Sequence, residues 1–118
     1  MKKHLTLLSG ASRGMGLAMA EQLCRPDQRL LCISRGTSER LNALVRQHGV
    51  DCVQWQADLA HPAEVAAKLS QWLDQQDPSE LLSASLINNA GVIGHLGPID
   101  SAAHQDLADA LAINLQAP

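Results

Sequence analysis

Four short apolar runs, each followed by a stretch with helical spacing, constrain this chain more than any other feature. Leu5–Leu8, Arg29–Ser34, Val50–Gln56 and Ser85–Asn88 read as strands of nearly continuous apolar character. Met15–Cys24 carries Leu17, Ala20 and Cys24 on one helical face, and Ser38–His48 repeats Leu41, Leu44, Val45 and His48. Pro62 opens a third helical stretch with Val65, Leu69, Trp72 and Leu73, and a fourth, from Asp100 onward, carries Leu107, Leu111 and Leu115. Breakers fall between the elements: Pro26 after the first helix, Gly49 after the second, Asp77-Pro78-Ser79 before the fourth strand. Parallel strands need helix-length crossovers, and such crossovers are right-handed. The alternation therefore predicts a doubly wound parallel α/β sheet covered on both faces, with strand order 3-2-1-4.

The first strand runs into Ser9-Gly10-Ala11-Ser12-Arg13-Gly14-Met15-Gly16, where the first helical pattern begins. Strand, glycine loop and helix in that order make a phosphate cradle. Glycines let the backbone approach an anion, and the helix directs its free N–H groups and positive dipole end at it. A tight strand-to-helix turn is the bland alternative.

Composition bounds the rest. The 118 residues suit one domain or part of one, and 46% apolar residues are enough for a core. A net charge of −3 provides no basic footprint for nucleic acid, and Trp55 and Trp72 are the only aromatics, too few for base-stacking surfaces. Cys24, Cys32 and Cys52 form no C-x-x-C pair and sit in apolar patterns, which predicts buried free thiols in a reducing compartment. The apolar run after Met1-Lys2-Lys3 is too short for a signal peptide, and nothing approaches the length of a membrane span, so no membrane is expected and a cytoplasmic location is. The histidines His4, His48, His61, His95 and His104 show no ligand spacing, and no metal site is expected.

Gly10, Gly14 and Gly16 have G-x-x-x-G-x-G spacing. They are joined by Asp58-Leu59 after the third strand, Asn88-Asn89-Ala90-Gly91 after the fourth, and Asn114 in the last helix. The combination resembles the short-chain dehydrogenase/reductase family in its compact, NADP-preferring branch, with a Rossmann-like fold. The tail Ile113–Pro118 is similar to that of sepiapterin-reductase-like and benzil-reductase-like members. The resemblance implies that Gly10, Gly14 and Gly16 form the pyrophosphate loop together with Ser12 and Arg13. Ser9 stands where most members have threonine. Met15 stands where isoleucine is usual and would pack beside the nicotinamide half. Asp58 would bond the adenine amino group with Leu59 beside it, and Asn89, Ala90 and Gly91 would line the cofactor. Asn114 would be the catalytic asparagine that holds a water in the proton relay. Read as residues alone, Asp58 could cap a turn, Asn88 and Asn89 could be turn residues, Asn114 could be polar packing, and His95 an exposed loop histidine.

An acid about 20 residues past the glycine loop would favour NAD. Here the second strand ends Ile33-Ser34-Arg35-Gly36-Thr37, with no carboxylate. Arg35 and Arg13 are instead two guanidinium groups suited to a phosphate dianion, so NADP(H) is the expected cofactor; on charge alone Arg35 could be a solvated surface residue. The family's Y-x-x-x-K pair is missing, since the chain holds no tyrosine. The last helix shows no stop signal before Pro118. These two features lead to the expectation of an incomplete, N-terminal cofactor half of a three-layer α/β/α sandwich. The expected activity of the parent is hydride transfer between the nicotinamide and a small carbonyl or alcohol substrate, in a homo-oligomer. The alternative is an inactive dinucleotide-binding or structural fragment.

Overall fold

The computed structural model describes residues 2–92 and 104–118. The elements are β1 (Lys3–Ser9), α1 (Gly14–Gln22), β2 (Gln28–Ser34), α2 (Glu39–His48), β3 (Asp51–Gln56), α3 (Pro62–Asp74), β4 (Leu81–Ile87) and α4 (His104–Leu111). The four strands form one parallel sheet in the order β3-β2-β1-β4, as the alternation predicts.

Strand periodicity divides the core into two layers. Leu8, Leu30 and Cys32 face one side, packed with Ala20, Cys24 and Leu41 of the α1–α2 layer. Leu5, Leu7, Leu31 and Ile33 face the other, against Trp55 and Val65. Successive strand residues point to opposite faces, so a buried strand must be apolar at consecutive positions. Trp55 meets Trp72 edge-on at 6.1 Å, and the Lys68 ammonium lies 4.4 Å above the Trp55 ring. Gly49 ends α2 in the left-handed region (φ 64°), which needs a residue without Cβ.

Several boundaries and faces differ from the sequence-based expectation. β4 begins at Leu81, four residues before Ser85, because it pairs with the whole length of β1, from Lys3↔Leu81 to Leu8↔Ile87. It is not a buried strand: Leu82 and Leu86 are 58% and 59% exposed. Cys24 and Cys32 are buried, but Cys52, on the edge strand β3, is only half-buried.

In α4 the apolar stripe is turned outward, with Leu107, Leu111 and Leu115 all exposed. After Leu111 the backbone widens into a π-type turn over Ala112–Gln116, where the Ala117 N–H donates to the Ala112 carbonyl at 2.8 Å. The widened turn shifts the helical register, and Ala112 and Ile113 are the residues it buries. The start of the fourth helix at Asp100 and the loop position of His95 lie outside the described residues.

Candidate functional site

The carboxyl ends of the four strands meet at one end of the sheet. β1 leads into Gly10 (φ 71°) and Gly14 (φ 59°), both in the left-handed region that a Cβ disfavours. Gly16 is required for a different reason: a Cβ there would overlap the Gly10 carbonyl and lie 2.6 Å from Asn89 Nδ2. The loop can therefore fold flat only with glycine at this position. α1 starts with Arg13 as N-cap, no side chain caps it, and no acid lies in its first turn. The N–H groups of that turn have no intrahelical acceptor, which leaves them available to an anion.

The loop after β4 is fastened to this cradle. The Ser9 hydroxyl oxygen accepts from the N–H groups of Asn89 (3.1 Å) and Ala90 (3.0 Å), and Asn89 Nδ2 donates to the Gly10 carbonyl (3.2 Å). At the end of β2, the Gly10 N–H donates to the Ile33 carbonyl and the Ala57 N–H to that of Ser34, both at 2.8 Å. The Ser34 hydroxyl donates to the Gly36 carbonyl at 2.8 Å and curls the Arg35 loop. Beyond β3, Asp58 Oδ1 accepts from the Ala60 N–H at 2.9 Å, and its other oxygen lies 4.0 Å from His61 Nε2.

These strand ends enclose an open cavity of about 600 Å3. Gly10, Ser12, Arg13 and Gly14 line one side, Arg35, Asp58 and Leu59 another, and Asn89, Ala90 and Gly91 a third. Ser9 and Gly16 stand behind the lining as its support. Met15 does not line the cavity and is 72% exposed. Asn114 is also outside the lining. Its Oδ1 accepts from the Val92 N–H and its Nδ2 donates to the Val92 carbonyl, both at 2.9 Å, as a neighbouring peptide would. The side-chain amide thus ties the end of α4 to the loop after β4.

Sequence reasoning missed Ser34, Gly36, Ala57, Val92 and Ile113, which also line the cavity. All five directly adjoin a residue it singled out, so the strand ends themselves were the available signal; Val92 follows Gly91, Ile113 precedes Asn114, and neither carries a chemical signature of its own.

The electrostatics of the cavity are lopsided. Arg13 and Arg35 are exposed, and among the described residues neither is in an ion pair. Among the described residues, Asp58 is the one carboxylate in the lining. None of the three thiols lines the cavity. Burial pushes the Cys24 thiol up; the bond Cys32 makes to Cys52, with burial, pushes Cys32 up.

The match to known proteins agrees with this arrangement. The profile of the short chain dehydrogenase family matches residues 4–118. The benzil reductase ((S)-benzoin forming) of Bacillus cereus is 29% identical over 112 residues, covering 95% of this chain and 45% of the relative. The sepiapterin reductase of Xenopus laevis is 33% identical over 126 residues, covering 97% and 46%. The crystal structure of a metagenomic short-chain oxidoreductase in complex with NADP superposes with a TM-score of 0.78 at 29% identity, covering 100% of this chain and 52% of that one. The chain thus spans about half the length of the relatives it matches. With the family profile running along nearly all of it, this chain belongs to the short-chain dehydrogenase family, whose members are oxidoreductases.

Proposed function

We propose that residues 1–118 form a single dinucleotide-binding unit for NADP(H) in a reductase or dehydrogenase acting on a small carbonyl or alcohol substrate. The observation that carries this reading is the uncapped start of α1 beside two arginines that have no anionic partner among the described residues. The residues fit the cofactor: Gly10, Gly14 and Gly16 leave room for a pyrophosphate, and Arg13 and Arg35 would hold a ribose phosphate on the adenosine half. Leu59 would lie along the adenine, with Asp58 at its amino group. Asn89, Ala90 and Gly91 would flank the nicotinamide half, with Met15 nearby. When bound, NADPH supplies the hydride.

The chain's own residues bind and orient. Asn114 acts through Val92, fixing the loop after β4; in the relay reading it would hold the water. The family's proton donor is a tyrosine, and the 118 residues contain none. The second reading is a dinucleotide-binding or structural unit without its own chemistry. The exposed Leu111 and Leu115 support association with a second copy, and we place the protein in the cytoplasm. Among the described residues no helix is long and apolar enough to cross a membrane.

Titrating the protein as its cell of origin makes it with NADPH and NADH tests the cofactor reading. A dissociation constant about tenfold or more lower for NADPH is expected, since one charge-assisted phosphate contact is worth that much. Equal constants would overturn it. Turnover of aldehydes and diketones by the same sample separates the reductase from the inactive reading.

A further inference from the structure

The helix that follows the Arg35 loop is capped from an unusual direction. Ser38 is its N-cap, and its hydroxyl oxygen accepts from the Leu41 N–H at 3.2 Å. In a reciprocal capping box, the third helical residue is Glu or Gln and accepts from the N-cap's own N–H. Here that residue is Leu41, fully buried in the core and unable to accept. The missing acceptor comes from another strand: Gln54 of β3 accepts the Ser38 N–H on its Oε1 at 3.2 Å. Its Nε2 donates to Asn42 Oδ1, and Asn42 in turn donates to Glu39 at 3.3 Å. Gln54 lies on the same face of β3 as Cys52, where the α1–α2 layer is otherwise apolar. A glutamine at such a place has a cost unless both ends are bonded, and both are.

We infer that Gln54 is a positioning residue for cofactor selection, closing the cap of α2 from β3 and thereby fixing the short loop that carries Arg35. That loop is held at both ends. Ser34 folds it onto the Gly36 carbonyl, and Gln54 anchors Ser38. Without the second anchor, Arg35 would have to be ordered at the moment a phosphate binds, which weakens its contact. The inference rests on the reading of Arg35 as the phosphate contact.

The test is Gln54→Met, which keeps the length and removes both bonds, in the protein as its cell of origin makes it. Affinities for NADP+ and NAD+ are measured beside the wild type, with hydrogen exchange at the Ser38 amide. The loss of one or two net hydrogen bonds predicts that NADP+ binding weakens about five- to tenfold. NAD+ binding stays within about twofold, because it does not use the phosphate contact, and the Ser38 amide exchanges faster. Asn42→Ala, which removes the partner of Nε2 and the exposed bond to Glu39 but leaves the Ser38 anchor, shifts the ratio in the same direction by less. Cys52→Ala loosens the same strand face without touching the cap; it lowers the melting temperature and leaves the ratio alone. Equal weakening for both coenzymes, or no change in either, overturns the inference. A wild-type ratio near one overturns the phosphate reading and the inference with it. A wild-type preference that Gln54→Met leaves unmoved overturns the inference alone.

Discussion

The two ends of the sheet handle their arginines in opposite ways. At the amino ends of the strands, Arg29 is satisfied within the protein: its Nε bonds Asp51 at 2.8 Å, Nη1 donates to Gln76 at 3.0 Å, and Nη2 lies 3.6 Å from Glu80. Lys3 joins the same carboxylate at 3.9 Å. The Asp51 bond, with the neighbouring carboxylates, raises the guanidinium pKa further. At the carboxyl ends, Arg13 and Arg35 flank a cavity beside an uncapped helix start. Neighbouring charges that close on each other hold the fold together. Charges left open beside free N–H groups suit an anion from outside.

The largest expected effect comes from the backbone of the open end. Gly16→Ala places a methyl group on the Gly10 carbonyl, which cannot move without unseating Asn89 and Ala90. Forced overpacking costs up to about 3 kcal/mol, occasionally more. NADPH binding by fluorescence titration should be lost and the melting temperature should fall. Binding at wild-type strength would show that the cradle is an ordinary turn.

Arg29→Met at the closed end comes next. It leaves Glu80 without its cation, Asp51 with only the longer Lys3 pair, and the Gln76 carbonyl without its donor. Charge-assisted bonds are worth about 1.5–3 kcal/mol, and the partial exposure of these groups places the loss near the bottom of that range. Urea unfolding should report the loss while the NADPH-to-NADH affinity ratio stays unchanged. A changed ratio would mean that the two ends are coupled.

Arg35→Ala should do the reverse. Arg35 is exposed and has no ion pair among the described residues, so stability should shift by less than about 0.5 kcal/mol. NADPH affinity should fall roughly tenfold, while NADH is spared. Isothermal titration with both coenzymes decides it; equal losses would make Arg35 a general contact.

What could be read from the sequence follows the range of the interactions. The glycine cradle and the strand order depend on local spacing and on the rule that parallel strands need crossovers, so both were legible before any coordinates. Regular helical spacing shows the Leu107–Leu111–Leu115 stripe but cannot show the π-type turn after Leu111, which buries Ala112 and Ile113. The extent of β4 depended on its pairing with β1. Gln54 was invisible for the same reason: its bond to Ser38 exists only once β3 is set beside β2 in register, Cys32 opposite Gln54. Type and position single out Asn114, but its bonds to Val92 join segments far apart in the chain. The side of the site made by adjacent residues is thus sequence-legible, and the side made by strand register is not.

The smallest effect concerns pH, and it also separates the two ends. Asp77 caps the turn that delivers Glu80 to Arg29. Its Oδ1 accepts from the Ser79 hydroxyl at 2.7 Å and the Ser79 N–H at 2.9 Å. Those bonds, the hydroxyl first, hold its carboxyl below the usual carboxylate range. A folded-state pKa below the unfolded value means that folding favours the ionised form. The stabilisation is fully present above the ordinary carboxylate pKa and disappears as pH falls through the depressed one. The group is exposed, so the effect is small. Melting curves of wild type and Asp77→Ala should therefore differ at neutral pH and converge in acid, where both lack the charged cap. A gap independent of pH would mean that the turn depends on the shape of the side chain and not on its charge. Gly16→Ala, at the other end of the sheet, removes no titrating group, so its gap from wild type should stay flat over the same range. Acid would then loosen the end of the sheet closed by its own charges before the end that awaits one.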